Sequence, residues 1–295
     1  MKKIDIHAHT APPGRIPRYG TGSTFCTPAQ LLEKYDALGI ELGVLLPSSG
    51  PEGNYGPVSY EEVIAVTKQY PDRFTWFVNV DPRAMSNSPD ANLSYILEYY
   101  KGFGAKGVGE ICANLAFDDP RVENLFYHCE KCGMPVLFHM SPALGKDYGL
   151  ADSLGLPGLE GALRKFPGLT FLGHSQPFWA EISADVTETA RGGYPKGKVV
   201  PGRVVELMRR YPNLCGDLSA NSGFNALSRD PAFGYAFMEE FQNRLYFGTD
   251  FCAPENVMPL SGWMDEAVAT AKLSRQAYEK IGRGNAEKLL GRRDA

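Results

Sequence analysis

Histidines near the start of the chain have the spacing of a metal-binding pair. His7 and His9 are two residues apart in the apolar run KIDIHAH, so in an extended strand both side chains point to the same side. Two imidazoles that converge in this way suit a divalent ion such as zinc. Of the five histidines in the chain, only His128 lies inside a predicted helix, where we interpret it as structural.

Four further polar residues stand at the ends of apolar runs and are candidates for the same site: His139, His174, Asp250 and Glu110. Each has an ordinary explanation when taken alone, because an aspartate often caps the following helix and a lone histidine is often hydrogen-bonded in a core. Together they would be costly unless they bind something, since unpaired buried titratable groups cost several kcal/mol. Glu110 could bridge two ions, or it could orient a single ion or a water molecule.

The elements that would carry these residues alternate along the whole chain. Amphipathic segments, several of which start at Pro and end at Gly, separate short apolar runs of the kind found in buried parallel strands. A strand followed by a helix eight times predicts an α/β fold, a single (β/α)₈ TIM-barrel domain over residues 1–295. A Rossmann or flavodoxin-like sheet is the alternative, but no glycine-rich phosphate motif is present. The eight predicted strands are 3–9, 42–47, 74–80, 106–111, 135–140, 169–175, 213–219 and 244–250.

Two connections are longer than this pattern requires, residues 10–27 and residues 176–202. Both follow the C-terminus of a predicted strand, which is where barrel enzymes place their active sites, so we predict that both cover the mouth of the barrel. In the second connection, Phe178 and Trp179 could form an aromatic wall for a planar substrate. Packing of the loop onto the barrel is the equal alternative.

Composition restricts the partners of the chain. The formal net charge is -4, and Lys and Arg are scattered, which excludes nucleic acid and membrane surfaces as favoured partners and leaves a small-molecule substrate.

No secretion signal precedes the six widely spaced cysteines, so we expect reduced thiols and a cytoplasmic location. Cys129 and Cys132 form a C-x-x-C within a helical pattern and are expected to be core or surface thiols. Assembly into a homo-oligomer stays open.

Several motifs stand in a fixed order over nearly the whole chain: the H-x-H of DIHAHT, the strand ends VLFH and FLGH, then FGTD and GRGNAEKLLG. This order resembles the amidohydrolase superfamily, and specifically its amidohydrolase-2 branch. The resemblance implies that His7, His9, His139 and Asp250 surround a metal ion, while His174 faces the substrate or a second ion. The GVGEI strand departs from the one-zinc pattern of the decarboxylases in this branch, and it is more similar to relatives in which a glutamate joins two metals.

The leading hypothesis for function is hydrolysis of an ester, lactone or amide bond of a small molecule by a zinc-activated water. Asp250 would accept the proton, and His174 would polarise the carbonyl. The alternative is metal-dependent, non-oxidative decarboxylation of an aromatic or enoic acid, with Arg15 or Arg18 as the cation that binds the carboxylate. Manganese could replace zinc in either reaction. A third alternative is an inactive barrel that serves as a binding protein. The complete set of candidate metal ligands at the strand ends argues against it.

Overall fold

Short parallel strands alternate with helices along residues 1–18, 21–53 and 56–292, the part of the chain that the computed structural model describes. Every strand pairing is parallel. The strands form two hydrogen-bonded groups, ordered β1-β2-β3 and β4-β5-β7-β8-β9, and the short β6 pairs with β5. Their bounds are β1 (Lys3–Ala8), β2 (Ile40–Leu45), β3 (Phe74–Trp76), β4 (Val108–Ile111), β5 (Val136–Ser141), β6 (Leu150–Ala151), β7 (Phe171–His174), β8 (Leu214–Asp217) and β9 (Leu245–Tyr246).

Backbone hydrogen bonds also join the two groups of strands to each other on both sides. The amide of Ile6 donates to the carbonyl oxygen of Phe247 at 3.0 Å, next to β1 and β9. On the other side, the amide of Val78 donates to the carbonyl oxygen of Gly107 at 2.9 Å, between the ends of β3 and β4. The predicted (β/α)₈ barrel is therefore confirmed, with β6 as an addition that the sequence pattern did not indicate.

The helices begin and end where the sequence supplies capping residues. Thr27 and Gln30 form a capping box at the start of the first helix, and Gly39 ends it with a left-handed φ of 67°. The helices are α1 (Pro28–Leu38), α2 (Tyr60–Gln69), α3 (Ser94–Gly102), α4 (Pro120–Cys132), α5 (Pro157–Lys165), α6 (Gln176–Ala180), α7 (Arg203–Arg210), α8 (Ala220–Ser228), α9 (Pro231–Glu240), α10 (Pro259–Ala269), α11 (Arg275–Glu279) and α12 (Asn285–Leu289), with a 3₁₀ turn at Pro51–Gly53 and a π-helical turn at Lys280–Gly284.

Apolar side chains form two clusters. The larger one packs the helices onto the outside of the strands and includes Cys129 and Cys132, whose thiols are free and buried. The smaller one contains side chains from β1, β2, β5, β7, β8 and β9, so it fills the barrel interior, and it also includes two residues of the α12 region. None of the helices in the described part of the chain is long and apolar enough to cross a membrane.

Both long connections are present. The first runs from the end of β1 to Pro28 without a helix or strand in its described residues. The second starts with the short α6 and continues irregularly to α7. In this second connection the Arg191 side chain is fully buried, and its guanidinium lies 2.8 Å from a carboxylate oxygen of Glu181.

Candidate metal centre

Imidazoles from β1 and β7 meet at the carboxyl end of the barrel. The Nε2 atoms of His7 and His9 are 3.1 Å apart, and the rings of His7 and His174 lie 4.6 Å apart between centroids. His7 and His174 are buried, while His9 is partly exposed. The alternation of a strand explains the His7–His9 pair, and the parallel arrangement of the barrel brings His174 to the same rim.

Two carboxylates complete this cluster. Asp250 Oδ1 lies 3.5 Å from His7 Nε2 and 3.4 Å from His9 Nε2. Glu110 Oε2 lies 3.5 Å from His7 Nε2 and 3.6 Å from His9 Nε2. Atoms bound at 2.0–2.1 Å to one tetrahedral zinc ion are roughly 3.4 Å apart, so these spacings suit ligands of a common divalent ion.

The hydrogen bonds of the His7 and His9 imidazoles test whether a cation fits between them. His7 Nδ1 has Asp217 Oδ2 as acceptor at 2.7 Å, and His9 Nδ1 has the carbonyl oxygen of Leu46 at 3.0 Å. Each ring therefore carries a hydrogen on Nδ1, and the two Nε2 lone pairs face each other. A proton or a metal ion must lie between them, so the donor set fits a divalent metal ion.

The charges around the cluster also fit a bound cation. Among the described residues, Glu110 and Asp250 form ion pairs only with histidines. Burial opposes a charge on His7, but the carboxylates of Asp250, Glu110 and Asp217 outweigh it and raise the pKa of His7 well above its usual value. Burial likewise opposes ionisation of Glu110, but His7 and His139 hold its pKa well below the usual range. A bound divalent ion would replace protons that these carboxylates attract.

A further carboxylate, Asp5, holds the residue before Asp250 in place. The amide and hydroxyl of Thr249 donate to Asp5 Oδ1 at 2.8 Å and to Asp5 Oδ2 at 2.5 Å. The amide of Asp250 donates to the carbonyl oxygen of His7 at 2.7 Å, and Asp250 has a left-handed φ of 54°, which aspartate tolerates better than most residues. These contacts tie the end of the last strand to β1 and direct the Asp250 carboxylate toward the β1 imidazoles.

His139 and His174 hold different positions relative to the cluster. Among the described residues, two groups have donor atoms that all lie within 4.8 Å of one another: His7 with Glu110 and His174, and His7 with His9 and Asp250. His139 belongs to neither group, and its Nδ1 atom lies 2.7 Å from Glu110 Oε1. His174 Nε2 is also 3.7 Å from Asp250 Oδ2. The geometry therefore gives His139 a supporting contact to Glu110 and places His174 directly at the cluster.

A cavity of about 140 Å³ opens beside this cluster. Arg18 is the only lysine or arginine among its described lining residues; it donates to Cys252 Sγ at 2.6 Å and lies over the ring of Phe25. A larger surface depression of about 710 Å³, beside α7, contains none of the cluster residues. The residues that line the smaller cavity are His9, Ile16, Arg18, Phe25, Pro47, Ser48, Ser49, Glu52, Gly56, Asn79, Glu110, Cys112, Tyr148, Asp250 and Cys252.

Three residues predicted to bind substrate lie elsewhere. Arg15 pairs with Glu62 of α2 and does not line the cavity. Phe178 and Trp179 are buried in the large apolar cluster, so the expected aromatic wall is wrong and the packing alternative is correct for this pair. The reason is that α6 begins directly after β7 and directs both rings into the core, where Trp179 Nε1 donates to the carbonyl oxygen of Asp217 at 2.8 Å.

Two polar residues at the end of β8 were not predicted from the sequence. Asp217 and Ser219 are fully buried there, within hydrogen-bond distance of His7 and His174. The signal was present, since the run 213–219 ends in polar residues like the runs that carry the other site residues. Cys112 and Tyr148 of the cavity wall were also not predicted.

The fold and the site together define an α/β barrel with a cluster of histidines and carboxylates at the carboxyl ends of its strands. Residues 4–292 match the family model described as amidohydrolase, and the chain belongs to this family. No curated protein sequence matches the chain.

Solved structures with the same fold cover nearly the whole chain. One is an uncharacterised TIM-barrel protein of Bordetella bronchiseptica, with 22% identity, a TM-score of 0.64 and 99% of both chains covered. A candidate 2-pyrone-4,6-dicarboxylic acid hydrolase of Pseudomonas putida is 17% identical, with a TM-score of 0.62 and coverage of 100% of this chain and 99% of that one. A dihydroxybenzoic acid decarboxylase of Polaromonas with bound manganese and the inhibitor 2-nitroresorcinol is 16% identical, with a TM-score of 0.59 and coverage of 100% and 98%.

Proposed function

We propose that this protein is a metal-dependent hydrolase that cleaves an ester, lactone or amide bond of a small, negatively charged molecule. The position of Asp250 carries the proposal. Its Oδ1 lies 3.5 Å and 3.4 Å from the Nε2 atoms of His7 and His9, while its Oδ2 lies 3.7 Å from His174 Nε2. In this proposal, Oδ1 holds an ion and Oδ2 accepts a proton.

The chemistry divides between the ion and the side chains. A zinc or manganese ion held by His7, His9, Asp250 and Glu110 would lower the pKa of a water molecule to about 7 and polarise a carbonyl group. Asp250 Oδ2 accepts the proton of the attacking water and returns it to the leaving group. His174, whose Nε2 atom lies 3.7 Å from Asp250 Oδ2, polarises the carbonyl group and stabilises the oxygen on which negative charge develops.

The cavity suggests the size and charge of the substrate. Its volume of about 140 Å³ is close to that of a ~150 Å³ cavity that holds one benzene ring. Arg18 supplies a guanidinium group for a carboxylate of the substrate, and Phe25 packs beside that guanidinium. We therefore propose a single-ring or smaller acid as substrate.

Decarboxylation of an aromatic or enoic acid is the second candidate, and the position of Arg18 in the cavity favours it as well. Arg18 would hold the departing carboxylate, and Asp250 or His174 would protonate the carbon that loses carbon dioxide. Both reactions use the same side chains, so the products must decide between them.

A product screen tests the proposal. The protein is purified without chelators, loaded separately with zinc and manganese, and assayed with lactones, esters, amides and aromatic carboxylates, with acid release and carbon dioxide measured separately. Acid release without carbon dioxide supports the hydrolase. Carbon dioxide release supports the decarboxylase, and a protein that neither retains metal nor turns over any substrate supports the binding-protein alternative.

A matched pair of arginine variants tests the substrate charge. Loss of a charge-assisted hydrogen bond costs about 1.5–3 kcal/mol, so Arg18→Ala should raise KM for an acidic substrate by roughly 10-fold to 150-fold. Arg15→Ala is the control, because Arg15 lies in the same connection but outside the cavity wall. Equal KM values for the two variants would remove Arg18 from substrate binding.

A further inference from the structure

We propose that Asp217 and Ser219 are positioning residues that orient two imidazoles with different roles, those of His7 and His174. The four side chains form one hydrogen-bond network with two branches, one to each imidazole. Asp217 directs His7 toward the metal ion, and Ser219 extends the same network to His174 on the substrate side. The proposal rests on the proposed function, because it assumes a metal ion at the His7–His9 pair.

The His7 branch is a direct contact. His7 Nδ1 lies 2.7 Å from Asp217 Oδ2, and both side chains are completely buried. An ionised carboxylate only accepts hydrogen bonds, so it retains the hydrogen of His7 on Nδ1 and leaves Nε2 free to bind a metal ion.

The His174 branch passes through a hydroxyl group. Ser219 Oγ donates to Asp217 Oδ2 at 2.8 Å, so its single hydrogen is used and its lone pairs remain. His174 Nδ1 lies 3.0 Å from Ser219 Oγ and can only donate to it, while its direct distance to Asp217 Oδ2 is longer, at 3.3 Å. The Nε2 atom of His174 is therefore the atom that faces Asp250 without a committed hydrogen.

The network is held on a rigid part of the barrel. The amide of Ser219 donates to Asp217 Oδ1 at 3.0 Å, which closes a turn directly after β8. Gly248 lies against this turn, and a Cβ atom there would be 2.8 Å from Asp217 Oδ1. Because the Ser219 amide closes the turn and Gly248 lies against it, the direction of the carboxylate is fixed in the folded chain.

An asparagine at position 217 would break this network in either of its orientations. With its amide nitrogen toward His7, it would donate to Nδ1 and move the ring hydrogen to Nε2, where it competes with the metal ion. With its amide nitrogen toward the Ser219 amide, two donors would face each other. Removal of such an orienting carboxylate typically weakens metal affinity by about 10-fold to 100-fold.

The experiment compares Asp217→Asn and Ser219→Ala, with Asp152→Asn as control. Asp152 is another buried carboxylate; it accepts hydrogen bonds from backbone amides at the start of α5 and contacts none of the site histidines. Zinc affinity is measured by competition with a chromogenic chelator. The hydrogen position on each imidazole is read from proton–nitrogen spectra of protein labelled with ¹⁵N-histidine, with and without zinc, and thermal unfolding checks that each variant is folded.

We expect the two branches to separate. Asp217→Asn should weaken zinc binding by about 10-fold to 100-fold, whereas Ser219→Ala should stay within about threefold of the wild type. Ser219→Ala should instead broaden the Nδ1 proton signal of His174 and move part of the ring population to the Nε2–H form. Asp152→Asn should change neither measurement.

Three results would overturn the inference: unchanged zinc affinity in folded Asp217→Asn, an unchanged His174 spectrum in Ser219→Ala, or equal loss of zinc affinity in both variants. If Asp217→Asn does not fold, the His174 spectrum of Ser219→Ala decides. A wild-type protein that binds no zinc or manganese would refute the proposed function instead, and the His174 spectrum of the metal-free protein would still test the Ser219 branch.

Discussion

A methyl group added at Gly248 should disturb the residues that align His7. The Cβ of Gly248→Ala would lie 2.8 Å from Asp217 Oδ1 and from Ser219 Cβ, and 3.3 Å from Ile6 Cγ2. Non-bonded carbon atoms favour separations of about 3.5 Å or more, so a displacement of about 0.7 Å is required. If Asp217 makes this movement, its 2.7 Å contact with His7 Nδ1 lengthens beyond ordinary hydrogen-bond range.

We expect Gly248→Ala to lower the free energy of unfolding by about 1–3 kcal/mol, the usual cost of overpacking, and to weaken zinc affinity about 10-fold or more. Urea unfolding and chelator competition measure the two effects. Gly262→Ala is the control, because Gly262 is an exposed position in α10 with no atom within 4 Å of the added Cβ; it should be neutral or stabilising by up to about 1 kcal/mol. Wild-type zinc affinity in folded Gly248→Ala would refute this reasoning.

Asp250→Asn should keep much of the metal through its amide oxygen but lose about 10²-fold to 10⁴-fold in kcat, and a near-wild-type kcat in the loaded variant would remove its role in proton transfer. Burial opposes a charge on His7, but neighbouring carboxylates outweigh it and raise the pKa of His7 in the folded chain. Scanning calorimetry should therefore show that the metal-free protein loses stability as pH rises above about 6.5, the pKa of an unfolded histidine. The zinc-loaded protein should not show this loss, and a flat stability profile of the metal-free protein would contradict the prediction. Arg191→Ala should lower the free energy of unfolding by about 1–3 kcal/mol, because burial raises the pKa of Glu181 to about 7 even beside Arg191, so the carboxyl group left alone takes up a proton and remains as a buried polar group without its partner. A loss below about 1 kcal/mol in urea unfolding would show that their ion pair contributes little.

The barrel could be predicted because each strand is a short apolar run followed by an amphipathic segment. The ends of the strands were less predictable. The runs 74–80 and 244–250 were predicted as complete strands, but β3 and β9 are Phe74–Trp76 and Leu245–Tyr246. Beyond these residues the chain makes single contacts to its neighbours, such as the bridge from Ala8 to Phe251, as it turns to place Asp250 over the rim. Apolar periodicity does not reveal where such turns begin.

The residues of the candidate site could be predicted where their role follows from residue type and position at a strand end. They could not be predicted where their role follows from contacts in the folded chain. His7, His9, Glu110, His174 and Asp250 were all nominated from strand ends, and the structure brings their donor atoms together. The roles of Asp217 and Ser219 depend on which imidazole nitrogen each one faces, which no spacing encodes. Phe178 and Trp179 were misplaced because nothing in the sequence showed that α6 starts at the strand end and turns them into the core.

Crystals of the zinc-loaded protein, measured at wavelengths on both sides of the zinc absorption edge, test the central claim most directly. We expect an anomalous peak at the carboxyl end of the barrel, about 2.0–2.3 Å from His7 Nε2, His9 Nε2 and a carboxylate oxygen of Asp250. No peak between these three side chains at saturating zinc, or a peak bound only by residues elsewhere on the chain, would contradict it.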